Sequence, residues 1–249
     1  MIRNLASRNL ARLTACLMAA LCVTIWASLP ATADIKDADR ATLDKMIGDY
    51  IRANPEVVRE ALLSLAERET AERRKQAMVI LKNDDGDPFF GNPEASFVIY
   101  EFSDYNCGYC KRVFTTLQDL IAEDDDIKLV VKEFPILSES SLLAAQAGIA
   151  AQAQGVFEEF HVAMMTARGG VSMDSIMTAA QSAGADLDRL QADMSSPAVQ
   201  AIISRTRAAA QQLEISGTPG LVIGRQIIPG AIDLGQMREI IAAERAADS

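Results

Sequence analysis

The period of hydrophobic and polar positions changes several times along the chain. Between Ile35 and Lys82 apolar residues recur at spacings of three and four, first Leu43, Met46, Ile47, Tyr50 and Ile51, then Val58, Ala61, Leu62 and Leu65. That is the period of amphipathic helices. Asn54-Pro55 divides the stretch in two, since asparagine suits a helix cap and proline the first helical turn. Glu67 to Lys75 is almost wholly charged and reads as a solvated spacer. Two such helices have too little surface to build a core alone. Their stripes call for a partner, either the main domain or the same helices of another copy. Asn83-Asp84-Asp85-Gly86-Asp87-Pro88 is rich in turn residues and marks a domain boundary.

Beyond that turn the pattern becomes strand-like. Phe97–Phe102 is almost continuously apolar and rich in β-formers, as a strand covered on both faces should be. A helix begins at about Cys107, with Val113, Phe114, Leu117, Leu120 and Ile121 as its buried stripe. Asp124-Asp125-Asp126 ends it in a loop, and a second strand follows over Ile127–Phe134. Ser138–Gln212 reads as helix, with breaks near Gly169-Gly170, Gly184 and Pro197. Leu221–Ile223 and Gln226–Ile228 flank Gly224-Arg225, a tight hairpin with glycine where the turn needs a positive φ. A last helix covers Asp233–Glu244. The order is β-α-β, a helical block, then β-β-α. A right-handed crossover joins the first two strands in parallel. The hairpin adds antiparallel strands, and helices cover both sheet faces, an α/β fold.

Residues 1–33 have a different character. Arg3, Arg8 and Arg12 precede an apolar run from Leu13 to Leu29, which ends in an A-x-A pattern before Asp34. This is the layout of a secretory signal peptide cleaved after Ala33; the alternative is a retained membrane anchor. The net charge is −10, and loss of those arginines makes the remainder more acidic still. Such a chain is repelled by phosphate backbones, which argues against nucleic-acid binding. Of the four cysteines, Cys16 and Cys22 leave with the signal segment. Cys107 and Cys110 remain as one C-x-x-C pair in an oxidising compartment.

The pair sits where exchange chemistry needs it. Unpaired N–H groups at a helix N-terminus stabilise a thiolate at Cys107. The two-residue spacer puts Cys110 one turn away, near enough to close a disulfide. Tyr109 can flank an incoming peptide. A structural zinc site needs four ligands, but the mature chain offers two cysteines and His161. A c-type haem site needs histidine where Lys111 stands. A structural disulfide gains little entropy from so short a loop. The chemistry thus calls for no metal and no cofactor.

Other residues stand out nearby. Glu101 interrupts the apolar strand six residues before Cys107, on the face of Phe97 and Ile99. If buried, it can pass protons to and from Cys110; if its strand is an edge, it is a surface glutamate. Lys132, between Val130 and Phe134 on its strand face, is a weaker candidate for tuning the same site. Thr218-Pro219 before the hairpin suits a cis bond, with the Thr218 backbone free to pair with a substrate strand. His161 reads as a packing or surface histidine, and Met164, Met165 and Met173 as core methionines.

Phe102-Ser103-Asp104-Tyr105-Asn106-Cys107-Gly108-Tyr109-Cys110-Lys111 resembles the active-site segment of the DsbA family. Glu133-Phe134-Pro135-Ile136-Leu137 and Gly217-Thr218-Pro219, followed by Ile223-Gly224, resemble its later signatures. The resemblance implies a thioredoxin-like fold with an inserted helical domain, a cis Pro219, and Glu101 as the family's buried glutamate. The N-terminal helices, with Asn54-Pro55-Glu56-Val57, resemble the extension of the ScsC-like branch, where such helices drive oligomerisation and members can act as isomerases. Gly108-Tyr109 resembles the DsbC-like isomerases, and Thr218 also resembles isomerases, rather than the family's best-known oxidase. Leu221 stands where many relatives carry an aromatic residue.

The expected organisation is a signal peptide over 1–33, a helical oligomerisation region over 34–84, and a thioredoxin-like domain over 85–249 with its helical insertion at about 138–212. The expected function is periplasmic thiol:disulfide exchange on protein disulfides. Cys107, Cys110 and Glu101 are the catalytic candidates, and Tyr109, Thr218 and Pro219 the substrate-binding ones. Isomerase or reductase is the leading direction; a dithiol oxidase and a non-catalytic envelope protein with a locked disulfide are the alternatives. The expected partners are unfolded or misoxidised exported proteins, a membrane reductase of the DsbD or ScsB type or an oxidase of the DsbB type, and further copies of the chain through residues 35–82.

Overall fold

The computed structural model of the protein describes residues 37–247. The expected signal segment, with Cys16 and Cys22, lies outside them. Two compact units divide between Ser64 and Leu65. The first contains helix α1 (Asp37–Ala53) and the start of α2 (Pro55–Lys82). Pro55 opens α2, and the Asn54 side chain donates to the Tyr50 carbonyl at 2.8 Å. On α1, Leu43, Met46, Ile47, Tyr50 and Ile51 are all exposed.

The division falls inside α2 rather than at the aspartate-rich turn. The reason lies in the last turns of the helix, where Ala77 and Leu81 are buried in the core of the second unit. The charged stretch before them is not wholly free either, because Arg73 pairs with Glu214 at 3.1 Å.

The second unit is built on a five-stranded sheet. Its strands are β1 (Phe89–Gly91), β2 (Phe97–Ser103), β3 (Ile127–Glu133), β4 (Gly220–Ile223) and β5 (Gln226–Pro229), in the spatial order β1-β3-β2-β4-β5. β2 and β3 pair in parallel across helix α3 (Gly108–Glu123), and every other pairing is antiparallel. Strand β1 was not expected from the sequence. It is three residues long and pairs antiparallel with β3 straight after the turn.

Strand alternation gives the sheet two buried faces. Ile99, Leu129, Val131, Leu221 and Ile223 point to one, packed on Val113, Phe114 and Leu117 of α3 and on Met237 and Ile241 of α9 (Leu234–Ala247). Tyr100, Phe102, Val130 and Val222 point to the other, packed on Ala77, Leu81, Ala209 and Leu213. Between β3 and β4 the chain forms five helices, α4 (Glu139–Gln152), α5 (Phe157–Thr166), α6 (Met173–Ser182), α7 (Leu187–Met194) and α8 (Pro197–Gln212). The break between α4 and α5, at Gly155 with φ +74°, adds to those expected. In this block Met164 and Met165 are core residues, whereas Met173 is exposed. At the hairpin, Gly224 has φ +58°, the conformation its turn requires.

Asp87 is where the turn departs most from expectation. It is not a solvated turn residue but a buried carboxylate, 2.6 Å from Lys132 Nζ and 2.8 Å from the Arg205 guanidinium. Lys132 therefore does not serve the cysteine site. The parallel register sets Glu101 opposite Val131, which places Lys132 on the other face, with Tyr100 and Phe102. A buried pair of this kind contributes little net stability but is costly to break.

Candidate active site

Cys107 caps α3 and Cys110 lies in its first turn, at the C-terminal end of β2. The Cys107 backbone is extended (φ −82°, ψ 113°), which releases its side chain to the N-terminus of the helix. The Cys110 amide donates to Cys107 Sγ at 3.2 Å. This is the N-cap hydrogen bond usually made by an oxygen, here aimed at the sulfur that must carry negative charge. Both thiols are free.

Opposite Cys107 is the loop before β4. The Thr218–Pro219 bond is cis, as the sequence suggested. The Cys107 thiol donates to the Thr218 carbonyl at 3.2 Å. Tyr109 is 60% exposed, and the Arg112 guanidinium sits 5.0 Å from its ring centroid. Tyr109, Arg112, Thr116, Pro219 and Ile232 border a groove of about 440 Å³. A second groove, of about 430 Å³, borders Thr218 and Pro219 and reaches Arg74.

Behind the pair the site is buried. Cys110 is fully buried, and burial together with the Glu101 charge and its bond to Cys107 holds its thiol well above the ordinary range. Glu101 lies on β2, between β3 and β4, so it is no edge residue. Its exposure is 0%, and burial pushes its carboxyl from 4.5 up to about 7, the nearby Ser103 hydroxyl pulling weakly the other way. A carboxyl that titrates near neutral pH beside a thiol held protonated can accept the proton that thiol must lose. The structure thus brings Cys107, Cys110, Glu101, Tyr109, Thr218 and Pro219 to one place.

Several residues of this site were not singled out from sequence. Asp104 ties the cysteine loop to the loop after β3, accepting from the amides of Asn106 (2.9 Å), Ile136 (3.0 Å) and Leu137 (3.1 Å). The Asn106 side-chain Nδ2 donates to the hydroxyls of Ser138, Ser140 and Ser141, each at 3.0 Å. Tyr105 and Glu133 are buried too, as is His161, read from sequence as a packing or surface histidine, whose Nδ1 is 2.9 Å from the Tyr105 hydroxyl. One signal was available, Gly148 within a helix, where glycine costs about 1 kcal/mol against alanine unless something needs its space.

A model of the DsbA-like thioredoxin domain matches residues 98–242. Among solved structures, the chain is similar to a thioredoxin-like oxidoreductase from Silicibacter pomeroyi DSS-3, at 38% identity and TM-score 0.64 over 68% of this chain and 97% of that one. It is similar to Proteus mirabilis ScsC in a transitional conformation, at 27% identity and TM-score 0.65 over 87% and 100%. It is also similar to the thiol-disulfide exchange protein alpha-DsbA2 from Wolbachia pipientis, at 28% identity and TM-score 0.65 over 71% and 97%. The curated relatives it matches are Na(+)/H(+) antiporters. That of Herminiimonas arsenicoxydans is 28% identical over 156 residues, and the chain spans only a quarter of its length. Among the described residues no helix is long and apolar enough to cross a membrane. With the cysteine pair, the cis proline and the thioredoxin topology in place, the chain belongs to the DsbA-like thioredoxin domain family.

Proposed function

We propose that this protein is a periplasmic disulfide isomerase or reductase that works as a homo-oligomer. The observation that carries the reading is the pairing of an exposed Tyr109 and a Thr218 carbonyl around Cys107 with a buried Cys110 behind it. Cys107 thiolate attacks a substrate disulfide and forms a mixed disulfide. A substrate thiol then resolves it, completing isomerisation. If shuffling stalls, Cys110 gives its proton to Glu101, attacks Cys107 and releases the substrate reduced. Substrate backbone pairs with Thr218, and its side chains enter the grooves beside Pro219. Misoxidised exported proteins are the substrates, and a membrane reductase of the DsbD or ScsB type returns the pair to the dithiol.

The apolar stripe of α1 supports the oligomer. Met46, Ile47 and Tyr50 are more than half exposed, and Leu62 of α2 is as well. A stripe of that size calls for a covering partner, and the likeness to ScsC structures extends over most of this chain. The periplasmic location rests on the export pattern of residues 1–33 and on a similar structure described as a periplasmic thioredoxin-like protein from Salmonella enterica. The test is reactivation of scrambled ribonuclease by the reduced protein, with Cys107→Ala as control and Ile47→Asp/Tyr50→Asp as the oligomer variant. Reactivation that vanishes in the control and weakens as the variant sediments more slowly is expected. Absence of reactivation overturns the isomerase reading in favour of a dithiol oxidase.

A further inference from the structure

Two carboxyls, not one, lie behind the cysteine helix. Glu101 of β2 and Glu133 of β3 are on adjacent parallel strands, with Glu101 opposite Val131 and Ser103 opposite Glu133. Alternation puts all four on one sheet face, the face whose apolar core includes both Val131 and Cys110. Glu101 and Glu133 are then diagonal neighbours, within reach of one another's long side chains. Both are fully buried. Among the described residues, neither Glu101 oxygen, nor Glu133 Oε1, nor the Ser103 hydroxyl has a hydrogen-bond partner. The buried cation Lys132 is paired with Asp87 on the opposite face, as is the partly covered Arg205.

Glu133 has close neighbours on α4 and in the cysteine loop. A methyl group at Gly148 of α4 would come within 2.8 Å of both Glu133 Oε1 and the Tyr105 hydroxyl, so glycine leaves the space that both oxygens border. The Tyr105 hydroxyl is 2.9 Å from His161 Nδ1. His161 is enclosed by Phe90, Phe114 and Phe157, with ring centroids 4.9 to 5.2 Å away. Burial lowers its pKa to about 3, so the imidazole is neutral and one ring nitrogen accepts. The Tyr105 hydroxyl also acts on Glu133, pulling its carboxyl down against the larger upward push of burial. The groups facing this carboxyl are Glu101, Tyr105 and Asp104, with Asp87 acting at longer range and His161 through Tyr105. Like charges without a cation hold on to their second proton.

We propose that Glu133 is a positioning residue for the resolving half of the exchange: with Glu101 it forms one buried carboxyl pair that holds one proton at rest and two after Cys110 has given up its own. The inference rests on the reading of Glu101 as the proton acceptor. In the step, the Cys110 thiol passes its proton to the Glu101 carboxylate. The Cys110 thiolate attacks Cys107 Sγ, and the Cys107–Cys110 bond forms as the Cys107–substrate bond breaks. The electron pair leaves on the substrate sulfur, which takes a proton from solvent. Glu133, protonated in its buried place, ensures that the thiolate forms beside a neutral pair rather than beside a second charge.

An aromatic disulfide that releases a coloured thiolate separates the two halves of the reaction. The first release follows attack by Cys107 and the second follows resolution by Cys110. Stopped-flow traces of the full chain from about pH 5 to about pH 10 give the resolving rate against pH, in which coupled carboxyls appear as two inflections. The wild-type profile is expected to bend near neutral pH and again at higher pH. Glu133→Gln keeps the first bend and loses the second. Tyr105→Phe keeps both and moves the second upward, because the hydroxyl that steadies the ionised form is gone; this variant carries the test if Glu133→Gln does not fold. Profiles of the folded variants that superimpose on the wild type overturn the pair. Glu101→Gln separates the two readings. If it removes the first bend while Glu133→Gln changes nothing, only the pair fails; if it leaves the whole profile intact, the acceptor role of Glu101 fails and the pair with it.

Discussion

Glu101 is a charge the fold would be more stable without, and Glu101→Gln measures by how much. Its carboxyl is raised from 4.5 to about 7 in the folded protein because burial disfavours the anion. The linkage has a definite sign. The folded state holds the proton more tightly, so the contribution to stability is full below about pH 4.5 and is lost as pH rises through about 7. Each pH unit of that interval is worth about 1.4 kcal/mol. Ionised Glu101 therefore costs about 3 kcal/mol at pH 8 and about 1 kcal/mol at pH 5. Glutamine in its place leaves a buried amide with poor partners, a penalty of about 1–3 kcal/mol that does not change with pH. The informative quantity is thus the difference between the two proteins and how it moves. Urea unfolding of both, with the thiols kept reduced, is expected to show Glu101→Gln gaining about 2 kcal/mol on the wild type between pH 5 and pH 8. A difference that stays constant across that interval would refute the reasoning, since it would mean that the carboxyl titrates in the fold as it does in water.

The remaining predictions concern the supports of the site and the two thiols. Asp87→Ala strands Lys132 as an unpaired buried cation and should cost about 3–5 kcal/mol in urea unfolding, while the rate of the first thiol exchange at Cys107 is unchanged. Gly148→Ala forces a methyl against Glu133 and Tyr105; it should cost about 1–3 kcal/mol and alter the near-ultraviolet dichroism of the buried tyrosine. Alkylation of the reduced protein at neutral pH, followed by mass spectrometry, should label Cys107 first. Cys110 should follow only under denaturing conditions, because burial and Glu101 keep it a thiol.

What the sequence reveals of this protein depends on how local the cause is. The break at Asn54-Pro55, the hairpin at Gly224 and the cap position of Cys107 are each decided within a few residues, and each is where the pattern puts it. Strand β1 escapes because three residues between a turn and a loop carry no period, and its pairing with β3 is decided some forty residues away. Lys132 illustrates a different limit. Its neighbours on the strand face are read correctly, but the phase of one strand against the next is a property of the sheet, and that phase turns Lys132 away from Glu101 towards Asp87. Tyr105, Glu133 and His161 come from a loop, a strand and a helix that only tertiary folding unites. Their one local trace is the glycine whose missing methyl makes the room.

The most direct test of the central claim is to catch the covalent intermediate. Cys110→Ala removes the resolving thiol, so a protein that attacks substrate disulfides through Cys107 must stall with substrate attached. The reduced variant, mixed with scrambled ribonuclease, quenched in acid and digested, is expected to yield ribonuclease peptides disulfide-linked to the Cys107 peptide, and none in Cys107→Ala/Cys110→Ala. Absence of that adduct, with both proteins folded and the thiol reduced, would contradict the account.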